Sequence, residues 1–139
     1  MNRHLEDVEV GTMIPPITKV PSAVGLFRFS AITWNPHLIH YNRDVAMSEG
    51  HENIVVHSHL HGSYLLQVLM AWAGPRARIT KFGWQNKRAV LVGEQVTCSG
   101  TVVDISDAGT VECKVEEHNQ AGELCANGWA TVLLPRRSS

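Results

Sequence analysis

Gly74-Pro75 divides this chain into two hydrophobic periods, and that change limits the folds open to it more than any other feature. Ahead of the break, Leu60, Tyr64, Leu65, Val68, Leu69 and Trp72 fall four, five, eight, nine and twelve residues from the first, one broad apolar stripe on a helix over Ser58–Ala73. Glycine accepts the backbone angles of a helix end and proline cannot continue the ladder, so the helix stops there. Beyond the break the period is two. Residues 77–85, 94–105, 109–119 and 123–134 read as four long strands, with turns at Ser106-Asp107-Ala108 and Gln120-Ala121-Gly122, which together predict an antiparallel meander. The earlier part is less regular: 17–20 is a short strand ended by Pro21, Ser22 caps a helical segment through 29, and Asn42 caps a short helix over 43–49 stopped by Gly50. Pro15-Pro16 reads as a local extended or turn element. With no internal repeat and 139 residues, the expectation is one α+β domain, 1–139, whose antiparallel sheet covers a long central helix.

Composition removes several function classes. Twelve Lys plus Arg against thirteen Asp plus Glu give a formal net charge of -1, without the positive field that draws phosphate backbones, so nucleic acid is not an expected partner. The longest apolar run, 64–73, contains Gln67 and falls short of the roughly 20 residues that span a bilayer. Glu6, Asp7 and Glu9 stand where a secretory signal needs an apolar stretch, and the chain is expected to stay in the cytoplasm. Cys98, Cys113 and Cys125 are odd in number and widely spaced, as buried thiols would be.

Histidine is the unusual residue. Six of the eight lie between 37 and 61: His37, His40, His51, His57, His59 and His61. On a strand, the alternation of His57, His59 and His61 would share one face and suit a metal. On a helix opened by Ser58 it would scatter the three rings, and the expectation is that no metal is bound. His118 reads as a surface residue near a turn.

Residues 29–46 read FSAITWNPHLIHYNRDVA. They resemble the MaoC-like (R)-specific enoyl-CoA hydratases and 3-hydroxyacyl-thioester dehydratases, whose motif sets an Asp, four residues and a His ahead of a short helix containing an Ala. Asn35 falls at the Asp position, His40 at that of the catalytic His, and 43–46 on the short helix. A branch similar to mesaconyl-CoA hydratases and mitochondrial-type thioester dehydratases has the form S-A-x-T-x-N-x-H-x-I-H-Y, with Asn as its usual residue, and Ser30 to Tyr41 follow it. Residues 53–60 resemble the family's apolar-His-Gly-x-Leu start of the central helix, with Ser58 in place of the Gly. Residues 43–50, 71–75 and 99–100 are also similar to the small subunits of actinobacterial steroid side-chain hydratases, which work with a second MaoC-like chain.

The resemblance implies the hotdog fold, which the order of elements also fits, and a coenzyme A thioester as substrate with no further cofactor. It implies His40 as general acid and base, since imidazole titrates near neutral pH. Asn35, an amide that cannot titrate, is expected to orient water or substrate. A backbone N–H at the start of the helix helps hold the thioester oxygen in the family; Ser58 is in place to supply it, with His57 and His59 beside it as substrate-binding or helix-start residues. Arg76, Arg78, Lys81, Lys87 and Arg88 form a basic stretch suited either to coenzyme A phosphates or to plain solvation. A hotdog sheet leaves an exposed edge, so a homodimer or a heteromer with a second MaoC-like chain is expected. The alternatives are a non-catalytic or partner-dependent subunit, a hotdog thioesterase, disfavoured because no acid lies between Glu52 and Glu94, and a His-rich metal-binding protein.

Overall fold

The computed structural model of the chain describes residues 1–138. Its elements are β1 (Met13–Lys19), α1 (Ala23–Thr33), α2 (Arg43–Ser48), α3 (Ser58–Ala73), β2 (Arg78–Asn86), β3 (Val96–Ile105), β4 (Thr110–Asn119) and β5 (Leu124–Leu133). Short 3-10 turns add Leu5–Asp7 and Leu38–His40. The strands form one five-stranded antiparallel sheet in the order β1-β3-β4-β5-β2. On its inner face Leu65, Val68, Leu69 and Trp72 of α3 share a core with Cys98, Val102, Val111, Cys113, Val115 and Val132. Each aliphatic side chain buried there contributes about 1.5–3 kcal/mol, and this burial holds α3 against the strands. All three cysteines are free and buried. Among the described residues no helix is long and apolar enough to cross a membrane.

Three expectations change. The meander comprises β3, β4 and β5 only; β2 lies at the far border beside β5, not beside β3. The chain leaving β2 is drawn away by pairing with the segment ahead of α3: Val56 N–H donates to Val90 O at 2.9 Å and Val92 N–H to Ile54 O at 3.1 Å. That detour takes it past the meander to the opposite side. Secondly, β1 starts at Met13, ahead of the expected 17, and contains both prolines. They are tolerated because β1 is an edge strand with a register shift between Ile14 and Ile17, where missing N–H donors cost no ladder bond.

Thirdly, α1 continues past 29 to Thr33, and ends on Trp34, which has φ 55 and ψ 42, a left-handed geometry that costs a non-glycine residue on the order of 1 kcal/mol. The turn lets Asn35 N–H donate back to Ser30 O at 2.9 Å and sends the chain towards His40. Trp34 itself is 87% exposed in the chain. The caps are as expected: Ser22 Oγ accepts from Gly25 N–H at 3.0 Å and Asn42 Oδ1 from Val45 N–H at 3.1 Å.

At the β5–β2 pairing, Gly128 sits opposite Trp84. A Cβ there would lie 2.7 Å from the Gly83 carbonyl oxygen, a backbone atom that cannot swing aside. Gly128→Ala is therefore expected to cost about 1–3 kcal/mol by forcing the two strands apart. Urea unfolding measures it, and a midpoint equal to wild type would show that the sheet absorbs the methyl group.

Candidate active site

The 3-10 turn Leu38–His40 delivers His40 to the edge of the core, buried except for a small part of its ring. Its Nδ1 lies 2.6 Å from Val55 O. A carbonyl oxygen only accepts, so Nδ1 carries the proton and Nε2 carries the lone pair. Nε2 has no protein partner among the described residues and is not sealed from solvent. Burial holds the His40 pKa below its ordinary value; the Val55 carbonyl opposes that, while His37 and His51 add to it. A neutral imidazole with one fixed and one free nitrogen is the state a general base needs near pH 7.

His57 is the N-cap residue of α3. Its ring stacks on that of His40, with centroids 3.9 Å apart and planes 18° from parallel. Nε2 of His57 is 2.7 Å from Ser30 Oγ, the edge of Phe29 closes another side at 4.8 Å, and Nδ1 is buried with no partner among the described residues. The ring has 0% exposure, so direct contact with a thioester gives way to contact with His40. Burial, helped by His40, lowers the His57 pKa to about 4. The unfolded chain then binds more protons than the folded one between pH 6.5 and 4. Stability is complete above the ordinary histidine value and falls by roughly 2–3 kcal/mol as the pH drops towards 4. Urea unfolding of wild type and His57→Phe at pH 7.5 and 4.5 tests this: the acid loss should shrink in the variant, and equal losses would contradict it.

Asn35 is partly exposed and its Oδ1 accepts from His37 N–H at 3.3 Å. Its side chain borders two clefts. One, of about 200 Å3, is walled by Phe27, Ala31, Trp34, Pro36 and Tyr41; the other, of about 260 Å3, by Phe29, Thr33 and His59. His37 is exposed, edge-on to His40 at 5.7 Å and 3.5 Å from Glu49. Ser58, first residue of α3, has no positive φ, so replacing glycine here strains nothing. Its hydroxyl accepts from Asn86 Nδ2 at 2.6 Å. Leu60 and His61 N–H groups both reach His57 O, which leaves the N–H groups of Ser58 and His59 without a partner among the described residues, as the free donors of the helix start. His59 is exposed, edge-on to Trp84 at 5.4 Å.

The three alternating histidines thus diverge, as a helix dictates. His61 turns inward, and its Nδ1 lies 2.5 Å from Glu117 Oε1. Cys98 Sγ donates to the other carboxylate oxygen at 3.7 Å. Burial, reinforced by Glu117, pushes the Tyr64 hydroxyl up to about 12 and the Cys98 thiol upward, so both stay protonated. Sequence reasoning missed this acid, although a signal existed: Val111, Cys113, Val115 and Glu117 occupy alternate positions of β4, which puts the glutamate on the core face. Of the basic stretch, Arg76, Arg78, Lys81, Lys87 and Arg88 are all exposed, and Arg88 pairs with Glu123 at 3.0 Å.

Residues 11–92, more than half of the chain, match the family model of hydroxyacyl-thioester dehydratase type 2. The chain belongs to that family. Among known relatives of this dehydratase-family chain, the 3-oxo-4,17-pregnadiene-20-carboxyl-CoA hydratase beta subunit of Mycobacterium tuberculosis is 27% identical over 130 residues, 94% of this chain and 98% of that one. Mesaconyl-C(4)-CoA hydratase of Chloroflexus aurantiacus is 42% identical over 62 residues, 40% of this chain, and the match spans only 22% of that longer protein. Among solved structures, the (R)-hydratase PhaJ1 of Pseudomonas aeruginosa superposes with a TM-score of 0.91 at 20% identity, over 98% of this chain and 88% of that one. The sheet wrapped on α3 is the hotdog fold.

Proposed function

We propose that this chain is a cytoplasmic hydro-lyase that adds water reversibly to a 2-enoyl-CoA, or dehydrates the corresponding 3-hydroxyacyl thioester, with His40 as general acid and base. The observation that carries the reading is the state of His40: Nδ1–H fixed on Val55 O, Nε2 unpartnered, and the ring neutral near pH 7. In the hydration direction Nε2 takes a proton from water as the oxygen bonds to C3. The C2–C3 π electrons move towards the thioester oxygen, and the imidazolium returns its proton to C2 as that charge collapses back. The free N–H groups of Ser58 and His59, at the positive end of α3, hold the enolate oxygen. Asn35, between the two clefts, orients water or acyl group by hydrogen bonding and moves no proton. His59 borders the cleft as a substrate contact. The reaction as written uses no cofactor beyond the coenzyme A of the substrate.

A second reading, a subunit active only beside another MaoC-like chain, draws support from the relative named as a hydratase beta subunit. One assay separates the two. Purified chain is added to short, branched and steroid-sized 2-enoyl-CoAs, and loss of the conjugated thioester absorbance is followed. Turnover by the chain alone is the expected result for a self-sufficient enzyme. Turnover only after a co-purifying hotdog chain is supplied assigns the partner-dependent role, and none in either case removes the hydratase reading.

A further inference from the structure

The Ser30–His57 pair sits behind His40 and takes no part in the chemistry above, although its geometry is unusually constrained. Ser30 and His57 are 27 residues apart and belong to different elements, yet Ser30 Oγ and His57 Nε2 meet at 2.7 Å in the interior. The His57 ring then lies face to face with His40 at 3.9 Å. We infer that His57, anchored by Ser30, is a positioning residue that fixes the plane of the His40 imidazole; the inference rests on reading His40 as the proton-transferring group.

The Val55 carbonyl constrains His40 at one point on its rim, Nδ1, and leaves the ring free to tilt about that contact. A parallel ring at stacking distance blocks the tilt on one side. A ring free to spin in its own socket would block little, and the anchor to Ser30 removes that freedom. The cost is visible in Nδ1 of His57, a buried polar atom without a partner among the described residues. With the proton on Nε2 donated to Ser30 Oγ, only a lone pair is left unmatched, which is cheaper than an orphaned N–H. The neutral ring also presents its π face to His40 when His40 becomes a cation during turnover, an attractive arrangement that a second positive charge would spoil. His37 and His51 are the other titratable groups whose charge reaches His40, and the variants below leave both in place.

The test is nitrogen-15 NMR of the histidine side chains in the whole chain, in wild type, Ser30→Ala and His57→Phe. Ser30→Ala removes only the anchor and is the milder change if His57→Phe folds poorly. The expected result is a new population of His40 with its proton on Nε2, and a titration midpoint raised towards the ordinary histidine value. In the enoyl-CoA assay kcat should fall about tenfold with KM within twofold. Unchanged His40 tautomer and midpoint in Ser30→Ala would overturn the inference whatever the rate does. Failure of wild type to hydrate any enoyl-CoA would count against the hydratase reading alone, because the NMR result still decides whether His57 sets the His40 ring.

Discussion

His40→Ala is expected to slow hydration of a 2-enoyl thioester by more than a hundredfold while the chain stays folded, since general acid and base groups contribute roughly 10²- to 10⁴-fold. The folded state tolerates the loss because His40 lies at the rim of the core and its ring makes one hydrogen bond among the described residues, to Val55 O. Asn35 cannot replace it, being an amide. The pH profile carries the same signature. The base form of His40 is required, and burial depresses its pKa, so the rate should hold as pH falls through 6.5 and drop only below that value. Circular dichroism establishes folding and the thioester absorbance gives the rate; a folded variant with near-normal turnover would remove His40 from the mechanism.

His61→Leu should be the most destabilising of the changes considered, by about 3–5 kcal/mol, since it leaves a buried carboxylate without its partner. Glu117 has 0% exposure, and the remaining neighbour within hydrogen-bonding reach, the Cys98 thiol, is a weak donor at 3.7 Å. The double variant His61→Leu with Glu117→Leu replaces both members of the buried pair by aliphatic groups and is expected to recover most of the loss. Urea unfolding of wild type, both single variants and the double completes the cycle. If the double loses as much as the sum of the singles, His61 and Glu117 are not coupled and the short contact contributes nothing to stability.

What could be read from the sequence was what neighbouring residues decide among themselves. The bounds of α3 follow from one apolar stripe and one Gly-Pro stop, and the caps at Ser22 and Asn42 act over three residues. The strands after Gly74 follow from alternation. Trp34 hid the end of α1, because a left-handed tryptophan carries none of the signals a glycine would. The place of β2 depends on Val56 and Val92 bonds between segments far apart in the chain, which no local pattern encodes. The same division holds in the site. His40, Asn35 and Ser58 stand out by motif, whereas the stack of His57 on His40 and its anchor on Ser30 exist only after α1 and α3 have packed. Glu117 is intermediate: its inward position was visible in the alternation of β4, but its partner His61 was not.

The two prolines of β1 give the sheet one closed border and one open one. Mid-strand, Pro15 and Pro16 offer no N–H, and the register breaks beside them, so another strand laid along β1 would find a gap where it needs donors. At the other border β2 runs nine residues, Arg78–Asn86, without a proline. Extension by strand addition therefore has a direction. Two copies joined β2 to β2 would consume the open border of both and end, on either side, in a strand that accepts no successor. Such growth halts at a pair of sheets and cannot run on into a filament.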